Sequence, residues 1–600
     1  MCGIAGVLFH PDHDGHAPRR DRPAPALAHT LRERLAHRGP DGHGVFVDDG
    51  VALVHTRLAL VDRAGGAQPM ATPDGRFVLV VNGELYGHRQ ERARLEGRGA
   101  VFRTRSDAEV LLWTLALTLD SGADACARAL ARLEGEFAFC LWDRRSRSAL
   151  LGRDRLGVKP LVVAHDRGAL WFASEAQALC AVLPKLCWLD DVIVARTFAA
   201  PQLSGEDVPF RALRALPPGS IAIVAASTTG ADADVRTTLI PPPSAPQLAI
   251  ADALEIAVRE RLDADADVEV GAFLSGGLDS SAIVAASLRT RSRMRCYSLR
   301  FDEPAGALAG SIVVGDDAPF SEMLARAWPI DLVRVHAHRA ALADDLDALT
   351  TSQDRMVAWE QELSQRMLAR AAQRDVRAVL VGDAADETHH GYAFALAGDA
   401  SVRALLDRFG FATRLRLLRP ALRALVAGDE LLDAMPDLRE RRRAMARLLR
   451  ARWLPRLLHN GDLHTMAFGV EARVPFADAR VVVAADAVDI DDAFRDPPRD
   501  PARGPEKSAL RDAVAPWLPP AIVARRKSAL PRDDGIGPLW RACVGAILVE
   551  GERVERLATV LDVDAVRSYA NDDAAIDDER RAILFSILCV DGFLRHHGPR

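Results

Sequence analysis

Lysine is scarce in this chain of 600 residues: there are four, Lys159, Lys185, Lys507 and Lys527. Arginine, alanine and aspartate are abundant instead, which reads as a coding bias and not as a function. The formal net charge of −6 gives no global basic surface, so nucleic acid and anionic membrane are not implied as partners. Cysteines number eight, and no two stand as C-x-x-C, which argues against a zinc or redox centre. They are too sparse for a disulfide framework in a chain this long. No run reaches the ~18 apolar residues of a membrane span. The start, MCGIAGVLFHPDHDGH, is polar where a signal peptide needs an apolar core. A reducing cytoplasm is the expected setting. The G-x-x-x-x-G-K-[ST] phosphate loop is absent, as is any internal repeat.

What is present fits a globular chain, with 49% hydrophobic and 27% charged residues, long enough for several domains. The first third reads as short strands: GVALVHTRLALVD, RFVLVVNGELYG, GEFAFCLWD and ALLGRD. ALAHTLRERLAH sets Leu27, Leu31 and Leu35 on one helical face. TTGADADVRTTLIPPPSAPQ (228–247) has the composition of a linker. Beyond it strands alternate with helices, which argues a parallel α/β sheet. VEVGAFL runs into SGGLDSS and the helical SAIVAASL; MRCYSLRF and VRAVLVG read as further strands. The last 150 residues are mostly helical. The basic run LRERRRAMARLLRARWLPRLLH (438–459) reads as an amphipathic helix with Leu448, Leu449 and Trp453 inward and its arginines solvated.

Two short stretches carry chemistry. In MCGIAG a cysteine follows the initiator methionine, so trimming Met1 would leave Cys2 with a free α-amine beside its thiol. SGGLDSS (275–281) lies between a strand and a helix. Its glycines let backbone N–H groups approach an anion, the helix adds its dipole and the hydroxyls add donors. Asp279 is suited to hold Mg²⁺ on a phosphate.

MCGIAG resembles the start of class II glutamine amidotransferases, and SGGLDSS the pyrophosphate loop of ATP pyrophosphatases. In this order they resemble the glutamine-hydrolysing asparagine synthetase family, and the resemblance spans nearly the whole chain. HRGPDG (37–42), NGELYGH (82–88), RSDAE (105–109), GRDRLGVKPL (152–161) and GVEARVPFAD (469–478) agree. The resemblance implies an α/β protein of two domains. The first is an N-terminal αββα N-terminal-nucleophile hydrolase sandwich at 1–205. A connecting segment at 206–246 follows. The second is an adenine-nucleotide α-hydrolase-like parallel sheet with a helical C-terminal part, at 247–600.

By the same resemblance Cys2 is the nucleophile, and Asn82 and Gly83 form the oxyanion hole. Arg57 takes the glutamine α-carboxylate, and Glu84 and Asp107 its ammonium. Leu274, Ser275, Gly276, Gly277, Asp279, Ser280, Ser281 and Gly382 bind ATP and pyrophosphate. Asp279 and Asp386 take Mg²⁺. Lys507 neutralises the phosphates, and Asp383 handles a proton during amide formation. The implied ligands are glutamine, ATP with Mg²⁺ and a carboxylic acid. Aspartate is the default acceptor, with another acid of specialised metabolism as the alternative, and a homodimer is implied.

Three departures stand out. VGDAADETHHGY (381–392) differs from the family form SGEGADELFGGY at Val381, Asp383, Ala384 and His389–His390. The His pair reads as packing or substrate contact, not as a metal site. ARRKSALPRD (524–533) keeps the Arg525-x-Lys527 spacing but has Ser-Ala where Gly-Phe is usual. QDRMVAWEQELSQRM (353–367) does not resemble the stretch that asparagine synthetases devote to aspartate.

Overall fold

The computed structural model describes residues 2–9, 24–166, 168–225, 236–243, 247–301, 316–398, 400–426, 437–495, 504–528, 533–572 and 574–598. Twelve strands build two antiparallel sheets in the N-terminal part. They are β1 (Cys2–Phe9), β2 (Gly42–Asp48), β3 (Val51–Arg57), β4 (Met70–Ala71), β5 (Phe77–Tyr86), β6 (Glu134–Asp143), β7 (Ser148–Arg153), β8 (Val162–Asp166), β9 (Ala169–Ala173), β10 (Leu213–Ala215), β11 (Ser220–Ala225) and β12 (Arg236–Leu239). The orders are β10-β8-β9-β1-β3-β2 and β12-β11-β7-β6-β5-β4.

Alternating side chains account for the layers. On β1, Ile4 and Leu8 meet Val80, Ala138 and Leu151 of the other sheet, while Ala5 and Val7 face outward onto Ala28, Leu31 and Leu35. On the second sheet's outer side Leu79, Phe139 and Leu141 pack against Val110, Leu111 and Leu115 of the helix Asp107–Ala116. The result is the expected αββα sandwich. Within the span read as a connecting segment, β10, β11 and β12 instead pair into the sheets. The hydrophobic run SIAIVA explains β11; turn formers on both sides obscured it. Residues 228–235 and 244–246 of the linker-like stretch lie outside the described residues.

The C-terminal part holds one all-parallel sheet, β15-β14-β13-β16-β17. Its strands are β13 (Val270–Phe273), β14 (Met294–Phe301), β15 (Ile330–Ala337), β16 (Ala378–Leu380) and β17 (Glu471–Arg473). The half-exposed β15 and the charged β17 escaped the periodicity reading. One apolar core runs without a break from Ala5 and Val54 through Leu254 and Ile283 to Phe585. In the basic run, Leu448, Leu449 and Trp453 are buried as expected, but so are Arg442 and Arg456. Arg442 donates to the Leu396 carbonyl, and Arg456 to the Met356 carbonyl and Ser204. Trp359 and Tyr392 stack on the two faces of Trp453, with ring centroids 5.8 and 4.9 Å away. No helix among the described residues is long and apolar enough to cross a membrane. Cys180 and Cys187 are joined as a disulfide, a pairing the cysteine count did not suggest.

Charged joints lock the two halves. Arg261, at the end of the helix Ile250–Arg261, has no exposure to water. It donates to Glu136 at 2.9 Å, Asp478 at 2.8 Å and Glu134 at 3.3 Å. Replacing it with methionine removes one partner from each of these carboxylates, although Glu136 keeps Lys159 and Asp478 keeps Arg480. The loss of one partner of a buried pair costs up to about 3–5 kcal/mol. Arg261→Met is therefore expected to lower the thermal unfolding midpoint. Arg261→Lys is expected not to restore it, because a single ammonium cannot fork to three acids.

Candidate active site

Cys2 opens β1 and pairs with Arg57 of β3. It is buried, and its backbone N–H donates to Asn82 Oδ1 at 3.0 Å. The Asn82 Nδ2, also buried, has no protein partner. An open amide donor thus sits on the side chain that accepts the Cys2 backbone N–H. Burial pushes the Cys2 thiol up, with Arg57 among the groups that oppose the rise. Gly83 adopts φ of +148°, and a Cβ there would lie 2.0 Å from the Glu136 carbonyl oxygen, so only glycine fits.

Arg57 is half-buried and aimed by two carbonyls, Asp62 O at 2.8 Å and Arg63 O at 2.9 Å. Asp107, first residue of its helix, accepts the Leu85 N–H at 2.9 Å. The Glu84 carboxyl is driven well above its ordinary value by burial and by Asp107. The structure therefore gathers Cys2, Asn82, Gly83, Glu84 and Asp107 at the facing ends of β1 and β5, with Arg57 at the end of β3.

The second site lies where β13 ends. The loop 274–277 leads into the helix Leu278–Ser287. Gly276 has φ of +69°, and a Cβ on it would meet Phe320 at 2.5 Å. Ser275 and Ser280 bond side chain to side chain at 3.1 Å, while the buried Ser281 hydroxyl is unpartnered. Gly382 packs on Asp279, with room that a Cβ would narrow to 3.2 Å. Lys507 Nζ bridges Asp279 at 2.5 Å and Asp386 at 2.6 Å, and Lys527 reaches Asp386 at 2.6 Å. Despite burial, these two lysines hold the Asp386 carboxyl down at about 2. Asp383 has no such partner: burial raises it to about 6, with Lys527 opposing. All these groups but Gly276 and Ser281 line one cavity of ≈ 170 Å³.

Among the described residues no group of three or more His, Cys, Asp or Glu is arranged to hold a metal by itself. Asp279 Oδ1 is nevertheless buried without a partner, and the pair Asp279–Asp386 suits a cation shared with a phosphate.

Residues 1–233 match the family model described as a glutamine amidotransferase domain, and residues 249–591 that of asparagine synthase. The chain belongs to the asparagine synthase family. Asparagine synthetase [glutamine-hydrolyzing] 3 of Bacillus subtilis is 27% identical, over 89% of this chain and 87% of that one. Asparagine synthetase B of Escherichia coli is 29% identical, over 90% and 83%. This family member departs from the usual form at two backbone positions that ask for glycine. Ala384 has φ of +70° and His390 of +62°.

The His389 and His390 rings are held neutral by burial, at about 3 and 4. His389 bonds Thr388 at 2.8 Å and sits edge-on to Phe476. That supports the packing role.

Several residues to which the sequence reading gave no role are central. Arg38, which has no exposure to water, donates to the Cys2 carbonyl at 3.1 Å, to Glu175 at 2.7 Å and to Asp462 at 2.7 Å. Arg473 pairs with Glu471 at 2.6 Å and approaches Glu84 at 3.6 Å. A charged residue inside an apolar helix, as Asp462 is in LLHNGDLHTM, was the available signal.

A non-glycine residue in left-handed backbone stores about 1–2 kcal/mol. Ala384→Gly is expected to stabilise the fold by up to about 1 kcal/mol, seen as a raised thermal midpoint.

Proposed function

We propose that this chain is an ATP-dependent, glutamine-hydrolysing amide ligase working through an acyl-adenylate. The observation that carries the reading is one buried arginine. Arg38 bonds the Cys2 carbonyl and also Asp462, on a helix whose neighbouring Gly461 and Thr465 line the nucleotide cavity. The two sites are built as one body.

In the first site Cys2 Sγ attacks the side-chain amide carbon of glutamine, its proton passing to the α-amine freed by loss of Met1. Asn82 Nδ2 and the Gly83 N–H take the oxyanion. Arg57 holds the α-carboxylate as a fork, and Glu84 and Asp107 the ammonium. The C–N bond breaks, ammonia leaves, and water cleaves the thioester to glutamate.

In the second site an acceptor carboxylate oxygen attacks the α-phosphorus of ATP and pyrophosphate departs. Leu274 to Gly277, Ser280, Ser281 and Gly382 hold the nucleotide. Asp279 and Asp386 would hold Mg²⁺, which when bound would supply charge neutralisation to the phosphates. Lys507 shifts from its acids to the phosphates. Ammonia then attacks the acyl carbon, AMP leaves, and Asp383 takes the excess proton. The relatives' names make aspartate the default acceptor. A cytoplasmic location, a homodimer and the domain limits 1–205 and 247–600 belong to the same proposal.

Cys2→Ala is expected to abolish glutamine-dependent AMP formation, by more than about a hundredfold, while leaving ammonia-dependent AMP formation intact. Quantifying glutamate and AMP with each nitrogen source checks it; loss of both activities contradicts the role. Asp383 titrates near pH 6, so it is a base only above that. The ratio of wild-type to Asp383→Asn rate is expected to climb through about pH 6 and level off above it. For stability the sign is opposite. A raised carboxyl favours the fold at low pH and loses that contribution as pH rises from about 4 through 6. Asp383→Asn is therefore expected to be relatively more stable above that range, read as thermal midpoints across pH.

A further inference from the structure

Five bases line the nucleotide cavity: Lys507, Arg511, Arg525, Arg526 and Lys527. Four are committed. Lys507 and Lys527 pair with Asp279 and Asp386. Arg525 binds Asp317 and the Ser275 carbonyl. Arg511 binds Glu506 and the carbonyls of Val523 and Arg525. Arg526 is exposed. All five come from one stretch, 507–527.

The remaining walls differ in kind. A Cβ on Gly461 would lie 3.1 Å from Asp383 Oδ2, so this helix faces Asp383 directly. Leu457, Gly461 and Thr465 follow at intervals of four on that helix, share a face and all line the cavity. Leu368, Gln365 and Ala472 line it too. The Thr465 hydroxyl is occupied by the Gly461 carbonyl at 2.8 Å. Among the described residues these walls bring no base. Their charged groups are acids: Asp383, and Glu387, which accepts the Tyr392 hydroxyl.

Of the stretch 353–367, unlike the aspartate stretch of asparagine synthetases, Gln365 lines the cavity while 353–360 contribute nothing to the lining. Gln353 bonds His464, Asp354 bonds His459 and Arg355 bonds the Gly205 carbonyl. Met356, Val357 and Ala358 are buried, and Trp359 stacks on Trp453.

Taking the ligase reading as its premise, we propose that the acceptor is a monocarboxylic acid whose remainder is uncharged and largely apolar. The part of the cavity lined by Leu368, Leu457, Gly461, Thr465 and Ala472 receives that remainder. The reacting carboxylate lies toward the bases of 507–527. A second carboxylate would then be buried at walls that bring no base among the described residues, and an unpaired buried charge is strongly disfavoured. An apolar chain instead gains from leaving water, and the open Gln365 amide can serve a neutral polar group.

The test uses the full chain with ATP, Mg²⁺ and glutamine, reading pyrophosphate release. Aspartate, glutamate and succinate are set against butyrate, hexanoate and benzoate. The expected result is a kcat/KM for the best monocarboxylate at least tenfold above that for aspartate, the scale of one or two methylenes in a fitted pocket. Aspartate as the best acceptor overturns this inference and leaves the ligase reading standing. Glutamine hydrolysis with no pyrophosphate from any acid overturns both. Leu457→Arg supplies the missing base and is expected to shift the aspartate-to-butyrate ratio of kcat/KM upward by about tenfold; an unchanged ratio removes that part of the cavity from its assigned place.

Discussion

A guanidinium sealed from water must have its N–H groups met by acids or carbonyls, and three that take acids, Arg38, Arg261 and Arg473, lie between the two halves. Each draws its partners from both domains. Arg38 takes Glu175 and Asp462, Arg261 takes Glu136 and Asp478, and Arg473 takes Glu471 and approaches Glu84. Such pairs add little net stability over apolar packing, but breaking one is costly. Their effect is to admit one relative placement of the domains, since an apolar interface would tolerate sliding. The Cys2 backbone and the helix Leu454–Met466 are fixed by the same joint. The glutamine site and the nucleotide cavity inherit their registry from it.

Around the cavity the backbone is strained where the chemistry is dense. Ala384, His390 and Lys507 all hold positive φ. Between them Gly391 leaves the space in which Asp386 and Lys507 meet, for a Cβ there would lie 1.8 Å from the Asp386 carboxylate. Strain of this kind persists only when surrounding packing over-determines it. The stack of Trp359, Trp453 and Tyr392 and the His389–Phe476 contact supply that packing.

Lysine use fits the same picture. In a chain that employs arginine almost everywhere, Lys507 and Lys527 stand in the nucleotide cavity. Lys159 is buried between Glu136 and the Ala472 carbonyl, at 3.3 and 3.1 Å. A compact ammonium on a flexible stem can bridge two carboxylates and move to a phosphate, which a planar guanidinium does less readily.

Local sequence was enough for the strands Val51–Arg57, Phe77–Tyr86 and Glu134–Asp143, where alternation is strong, and for the loop–helix at SGGLDSS, where glycine and hydroxyls leave few alternatives. It also pointed to Cys2, Asn82 and Asp279 as candidate site residues, because each sits in a short contiguous motif. Tertiary structure decided what contiguity cannot encode. It drew β10 to β12 into the sheets, placed Asp462 against Arg38 over 424 positions of sequence, and buried arginines that the helical pattern assigned to solvent. It also decided what lines the second cavity, because Leu368, Asp383, Leu457, Gly461 and Ala472 come from separate stretches of chain. No single stretch of chain holds the charge balance that they make together.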